Sequence, residues 1–453
     1  MRQDAAVLRS ALRGRVIGPS DAGYDALRTT WKGADRHPAL VADCHDVTDV
    51  RRVVAFAGES GMPLAVMGTG HDVAARSVPD DGLVLATRSL NGISVDADAR
   101  QATVGPGVHW GELVAAAARH GLATTGASIA TVGVAGFVLH GGLGWLMRSC
   151  GTGCDNILAL DLVTADGRIR TVTADTEPDL YWAARGAGAN FGVVTSLTLQ
   201  LHAVPRITAG VIVYPAERAR DVLQVYRQLT ATAPDELVTH FYYMGNPDGS
   251  HSVGIGVCLA GSTAEADRVH APLDSLGQPW RSSLRELDPV GLQAVHDSST
   301  PPGGNYYVRA HYLPELTDER IHVLLEHCRR ITAPLTKVFL EHLGGAVARI
   351  PSEATAFRGR EATYSFLAVA GWTDPAEAPT HRAWTQDLST AIAPLALDGA
   401  YVNYLDDDED HRIPSAYGTG YARLVALKQR FDPTNVFCAN RNIIPGRQHA
   451  ATR

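Results

Sequence analysis

The sequence predicts a two-domain α+β protein, and three observations carry the prediction. At 453 residues the chain exceeds what one hydrophobic core usually organises. Up to Pro205 it reads as short β segments punctuated by glycine, with helices between them. After Pro205 longer strands alternate with helices, the pattern of an α+β unit built on a largely antiparallel sheet.

Taken in order, Pro38–Ala42 is a short strand, and "VTDVRRVVAFAGESG" places Val47, Val50, Val53, Val54 and Ala57 on one helical face ending at Gly61. "PLAVM" is an apolar strand that runs straight into Gly68-Thr69-Gly70-His71-Asp72. "DGLVLAT", "GISVD" and "QATVGPG" are β-rich, and "WGELVAAAARHG" is a helix with Trp110, Leu113, Val114 and Ala117 inward and Gly121 as its stop. "ILALDLVTADGRIRTVT" is a hairpin turning at Ala165-Asp166-Gly167, followed by the helix "PDLYWAARGAG" and the strand "FGVVTSLTLQLH". Beyond Pro205 come "AGVIVYP", a helix to about Ala233, "HFYYMG", "SVGIGVCLAG" and a helix from Thr263. "NYYVRAHYL", "LTKVFLEHLGG" and "ATYSFLAVAGW" are further strands, and a last helix covers Tyr421–Phe431.

Hydrophobic residues make up 45 % and charged residues 19 %, ordinary for a soluble globular protein. The net charge of −8, without long basic runs, argues against nucleic-acid binding. The acidic run Asp406–Asp410 reads as a solvated loop rather than a metal site. The most apolar window, Thr131–Met147, holds five glycines and His140, which suits a ligand loop better than a membrane span. No h-region of a signal peptide opens the chain, and its six cysteines form neither a disulfide framework nor a zinc pattern. The expectation is a cytoplasmic, reduced protein without a metal or a membrane partner.

Two glycine-rich loops carry the functional signal. The first lacks the third glycine and the following helix that a nicotinamide-type Rossmann fingerprint requires, so what survives is an anion nest of backbone N–H groups. In the second, "TVGVAGFVLHGGLGW", Gly133, Gly136, Gly141, Gly142 and Gly144 permit close approach of backbone to a ligand. Either loop alone reads as turns; together with His71 they favour a long, charged cofactor.

At this point "GTGH", "ATVGVAGFVLHGGLGWLMRSCGTGCDNILALDLVTADG", "YWAARGAGANFGVVTSLTLQLH" and "YVNY…YARLVALKQRFDPTNVFCANRNIIP" come into view together. In this order they resemble the berberine bridge enzyme-like flavoproteins of the vanillyl-alcohol oxidase type, from about Pro38 to Pro445. The resemblance implies a two-domain FAD-binding fold in which an antiparallel-sheet substrate domain covers the flavin. Residues 1–205 would bind FAD, 206–400 would form the substrate domain, and 401–453 would return to the FAD domain. His71 matches the histidine bonded to the flavin 8α carbon, which makes the flavin a stronger oxidant. Ile129 stands where a second, cysteinyl link is common, so one covalent bond is expected. Met67, Gly68, Thr69, Gly70, Asp72, Thr131, Val132, Gly133, Gly136, Gly141, Gly142, Val194, Asn403, Asn440 and Asn442 are the remaining positions implied to hold FAD. Asp72 stands where serine is common, and could hydrogen-bond either His71 or the cofactor.

Tyr401 matches a family tyrosine that takes the substrate hydroxyl proton as hydride passes to flavin N5. A phenol needs a nearby positive charge or hydrogen bonds to act as a base. The plainer reading is a tyrosine packed on one face of a strand, with Tyr404 on the other. Glu341, His342, Tyr364 and Tyr306 are pocket candidates; strand alternation forbids Glu341 and His342 from facing the flavin together. Glu341 is either a second base or a rim carboxylate. The implied reaction is two-electron oxidation of a small organic molecule, a natural-product hydroxyl or a ring closure, with dioxygen as reoxidant and hydrogen peroxide as product. Its rivals are a non-redox cyclase that keeps FAD structurally and a flavin-free binding protein of the same fold.

Overall fold

Local rules set the N-terminal elements. The helix Val47–Ser60 starts where the Asp46 side chain accepts the Asp49 N–H at 2.9 Å and stops where Gly61 takes φ 69°. The helix Trp110–Ala118 buries the four residues expected of it. In the computed structural model the described residues are 2–446, except 34, 205, 262–271, 274, 294 and 296–300. Pro205 and the start of the helix expected from Thr263 therefore lie outside the described residues.

Three larger sheets carry the strands. The first, in the order β1-β2-β4-β3, contains β1 (Arg15–Ile17), β2 (Leu40–Asp43), β3 (Leu64–Met67) and β4 (Leu83–Ala86), with β2, β4 and β3 parallel. The second contains β5 (Ile93–Asp96), β6 (Gln101–Val104), β8 (Ile157–Val163), β9 (Ile169–Val172) and β10 (Val193–Gln200), antiparallel in the order β5-β6-β10-β8-β9. Its β8–β9 hairpin turns where expected, with Gly167 at φ 73°. A small ladder joins β7 (Leu122–Ala123) to β11 (His202–Ala203).

The third sheet is eight-stranded and antiparallel. It comprises β12 (Ile207–Pro215), β13 (Leu237–Gly245), β14 (His251–Leu259), β15 (Arg281–Ser282), β16 (Arg285–Leu287), β17 (Asn305–Leu313), β18 (Lys337–His342) and β19 (Tyr364–Trp372). Their order is β15-β12-β14-β13-β18-β19-β17, with β16 also on β12. Alternation splits the side chains of this sheet between two cores. Phe241, Ile255, Leu340, Tyr364 and Phe366 pack with Tyr226 and Ile321 of the covering helices. Tyr306, Val308, Tyr312, Leu367 and Val369 join the core that holds Trp110, Phe137 and Tyr401.

The chain after residue 400 returns to the N-terminal half. Lys428, fully buried, donates to the carbonyls of Asn190 and Phe437 and pairs with Asp432 at 2.7 Å. Two expectations fail here. "YVNY" is not a strand: Val402–Tyr404 is a single 3-10 turn, with the Tyr404 N–H on the Tyr401 carbonyl at 2.8 Å. The acidic run is not simply solvated. Asp406 is buried against Lys32, Asp408 and Glu409 pair with Arg309, and Asp410 pairs with Arg76. Remote cations that no local window reveals neutralise it.

Candidate active site

Asp72 organises the first glycine loop. Its carboxylate accepts the N–H groups of Ala74, Arg76 and Ser77 at 2.7–3.1 Å, winding the chain around itself, and pairs with Arg441 at 2.8 Å. Burial raises its pKa, but Arg441 and the backbone donors outweigh burial and hold it down at about 2. Asp72 shapes the loop, ties it to the C-terminal segment and lines the cavity beside His71.

His71 then projects from a fixed backbone. Its imidazole stacks on Trp31 (centroids 4.9 Å apart, 15° from parallel), and Trp31 stacks in turn on Tyr306 at 4.6 Å. Burial pulls the His71 pKa down to about 4, so the ring is neutral at pH 7, and its buried Nε2 has no hydrogen-bond partner. A neutral imidazole nitrogen with a free lone pair is a nucleophile or a ligand in waiting.

His71 lines a cavity with Gly68, Thr69, Gly70 and Asp72 of its own loop. The opposite wall is the second glycine loop, through Val132, Gly133, Gly136, Phe137 and His140. A Cβ at Gly133 would meet Thr69 Oγ1 at 2.8 Å, so a larger residue there would have to displace that side chain. His140 Nδ1 donates to the Gly136 carbonyl at 2.9 Å, which leaves Nε2 as a buried acceptor without a partner. Asn440 closes the cavity from the C-terminal side, its Nδ2 on the Ala189 carbonyl at 2.9 Å and its Oδ1 unpartnered.

Tyr401, Asn403 and Tyr404 form a further wall. The buried Tyr401 hydroxyl oxygen accepts two hydrogen bonds, from the Gly142 N–H and from Asn403 Nδ2, each at 2.9 Å. Gly141 and Gly142, at φ 122° and 92°, bend the loop so that this N–H faces the phenol. Burial lifts the Tyr401 pKa well above that of an ordinary phenol, against the lowering effect of the two donors. The 3-10 turn brings Tyr404 edge-on to Tyr401 at 4.8 Å, and its hydroxyl donates to Glu341 Oε1 at 3.0 Å. Burial pushes the Glu341 carboxyl up to about 7.

One pocket candidate, Tyr364, sits elsewhere, and other expected residues have the following places. Tyr364 is on the helix side of the third sheet, its hydroxyl 2.5 Å from Thr230 Oγ1, because it is in register with His342 while Glu341 is in register with Ser365. Val194 is buried in the second sheet beside Leu162, and Met67 is a buried residue at the end of β3. Thr131 is exposed, and Asn442, like Asn440, has a buried Oδ1 without a partner. Arg441, Arg76, His140 and Trp31 were not anticipated. Arg441 stands inside the quoted "NRNI" segment, but its partner is 369 positions away.

Comparison with known proteins places this geometry. A family described as FAD binding domain matches residues 38–173, and one described as berberine and berberine like matches residues 400–444. (R)-6-hydroxynicotine oxidase of Paenarthrobacter nicotinovorans is 31 % identical over 461 residues, covering 96 % of this chain and 97 % of that protein. The chain belongs to the berberine bridge enzyme-like family of FAD-linked oxidases. An uncharacterised FAD-linked oxidoreductase of Bacillus subtilis is 30 % identical, with 96 % and 99 % of the two chains covered. The crystal structure of 6-hydroxy-D-nicotine oxidase from Arthrobacter nicotinovorans superposes with a TM-score of 0.87 at 29 % identity, covering 96 % of this chain and 98 % of that one. As a member of this family the protein is an FAD-linked oxidoreductase of the vanillyl-alcohol oxidase type. The cavity fits such a cofactor: His71 Nε2, His140 Nε2 and Asn440 Oδ1 await partners, and Gly136 leaves its side of the wall open. Among the described residues no helix is long and apolar enough to cross a membrane.

Proposed function

We propose that the protein oxidises a hydroxyl group, or closes a ring, on a small organic substrate, with FAD held covalently through His71. On this reading residues 1–205 and 401–453 hold the cofactor and residues 206–400 cover it. His71 Nε2 makes the single link, Ile129 offering none, while Gly68–Gly70, Gly133, Gly136, His140, Asn403 and Asn440 supply backbone and polar contacts. FAD, when bound, supplies a two-electron acceptor that dioxygen reoxidises with release of hydrogen peroxide.

The observation that carries the catalytic assignment is the pair of N–H donors on the Tyr401 oxygen. Two donors aimed at one oxygen stabilise negative charge there, so Tyr401 can give up its proton and take one from a substrate hydroxyl. Burial works against a resting phenolate, and this favours a second reading for the base. Glu341, half-ionised near neutrality and bonded to Tyr404, would then be the group that receives the proton. Anaerobic stopped-flow reduction of Tyr401→Phe and Glu341→Gln separates the two. A slow Tyr401→Phe beside a normal Glu341→Gln supports Tyr401; the converse assigns the base to Glu341.

A further inference from the structure

Along β18, alternation puts Lys337, Phe339 and Glu341 on the side of the third sheet where Glu341 meets Tyr404. On this face Lys337 Nζ is buried without a partner, whereas the Glu341 carboxylate has Ser365 as well as Tyr404 for hydrogen-bonding neighbours. Ser365 is in register with Glu341 and belongs to the same end of the face. Lys337 stands apart, with the apolar Met244 and Val369 directly beside it on the neighbouring strands. It is only 6 % exposed and makes no ion pair among the described residues. A buried amine without partners costs stability whether charged or neutral, because its N–H groups have lost water and gained nothing.

The face therefore has two polar ends. Strand rise separates the Lys337 and Glu341 Cα atoms by about 13 Å. Between them lies half-buried Phe339, its ring edge-on to Tyr242 at 5.2 Å. We propose that Lys337 is the anchor for a carboxylate on the substrate, so that the substrate is an aromatic or similarly flat organic acid. The acid group sits on Lys337, the apolar body lies along Phe339 and Tyr242, and the oxidised hydroxyl reaches the Glu341, Tyr404 and Tyr401 end. This deepens the proposed function and rests on its premise that oxidation occurs at that end.

The test uses the full-length holoenzyme and a matched pair of probes, para-hydroxymethylbenzoate and para-hydroxymethylbenzamide, measured by calorimetric titration. The pair differs only in the charge at the end remote from the alcohol. The wild-type protein should bind the carboxylate about tenfold or more tightly than the amide, the worth of a charge-assisted hydrogen bond. Lys337→Met should bring the carboxylate down to the level of the amide and leave the amide unchanged, and Lys337→Arg should restore the preference. Lys337→Met removes a buried unpaired amine in favour of an apolar chain of similar length, so its melting temperature should not fall. Wild-type protein that binds neither probe, or both alike, overturns the proposal, as does a Lys337→Met variant that keeps the preference. Failure of the premise is distinguishable: a colourless wild-type protein sinks the flavin reading along with this one, whereas a yellow protein without charge preference sinks this one alone.

Discussion

Replacing Asp72 with asparagine should loosen the His71 loop by a calculable amount. The change keeps shape but leaves Arg441, only 9 % exposed at its side chain, without its counter-charge. Depression of the Asp72 pKa from 3.8 to about 2 corresponds, at 1.36 kcal/mol per unit, to about 2 kcal/mol at pH 7. Breaking a buried ion pair from one side costs about 3 kcal/mol or somewhat more, and this pair is only partly buried. We take 2–3 kcal/mol as the order of the loss. With an unfolding entropy of about 2.1 cal/mol/K per residue and 453 residues, the melting temperature should fall by about 2–3 °C. The pH dependence fixes the sign. A depressed carboxylate pKa contributes fully above the unfolded value of 3.8 and loses its contribution as the pH falls through about 2. The gap between wild type and Asp72→Asn should therefore be constant from pH 5 to 8 and shrink to about half by pH 3. Scanning calorimetry across that range is the assay. Equal melting temperatures at pH 7, or a gap that stays constant down to pH 3, would refute the claim that an ionised Asp72 holds this loop.

Tyr401→Phe should retain the flavin and its spectrum, yet slow anaerobic flavin reduction by roughly 10²–10⁴-fold; an unchanged rate would move the base to Glu341. Glu341→Gln should be more stable than wild type at pH 8 and equal to it at pH 4, because a carboxyl raised to about 7 destabilises the fold only where the unfolded state would be ionised. Truncation after Gly399 should abolish flavin retention, since it removes Lys428, Asn440 and Arg441 together with the contacts they make to Asn190, Ala189 and Asp72. Normal flavin content in the truncated protein would contradict that.

What could be read from the sequence follows from how far apart the interacting residues lie. The helices at 47–60 and 110–118 and the hairpin at Gly167 depend on contacts within a few positions, and they appear where periodicity and turn residues put them. The two glycine loops were legible as loops for the same reason, and the structure puts them, with His71, on one cavity. "YVNY" misled because its alternation suits a strand, whereas one i to i+3 bond puts both tyrosines together. Tyr364 misled because the phase of β19 against β18 is a tertiary property: one residue of register decides which face a side chain joins. Arg441 on Asp72, Lys32 on Asp406 and Tyr404 on Glu341 join positions far apart in the chain, and no local window could reveal them.

The central claim is that His71 carries the flavin through one bond, and acid precipitation followed by peptide mapping tests it most directly. The wild-type pellet should stay yellow, with the flavin mass on the peptide containing His71 and on no other. His71→Ala should release its colour on acid treatment. A colourless wild-type pellet, or flavin found on Cys150 or Cys154, would contradict the account.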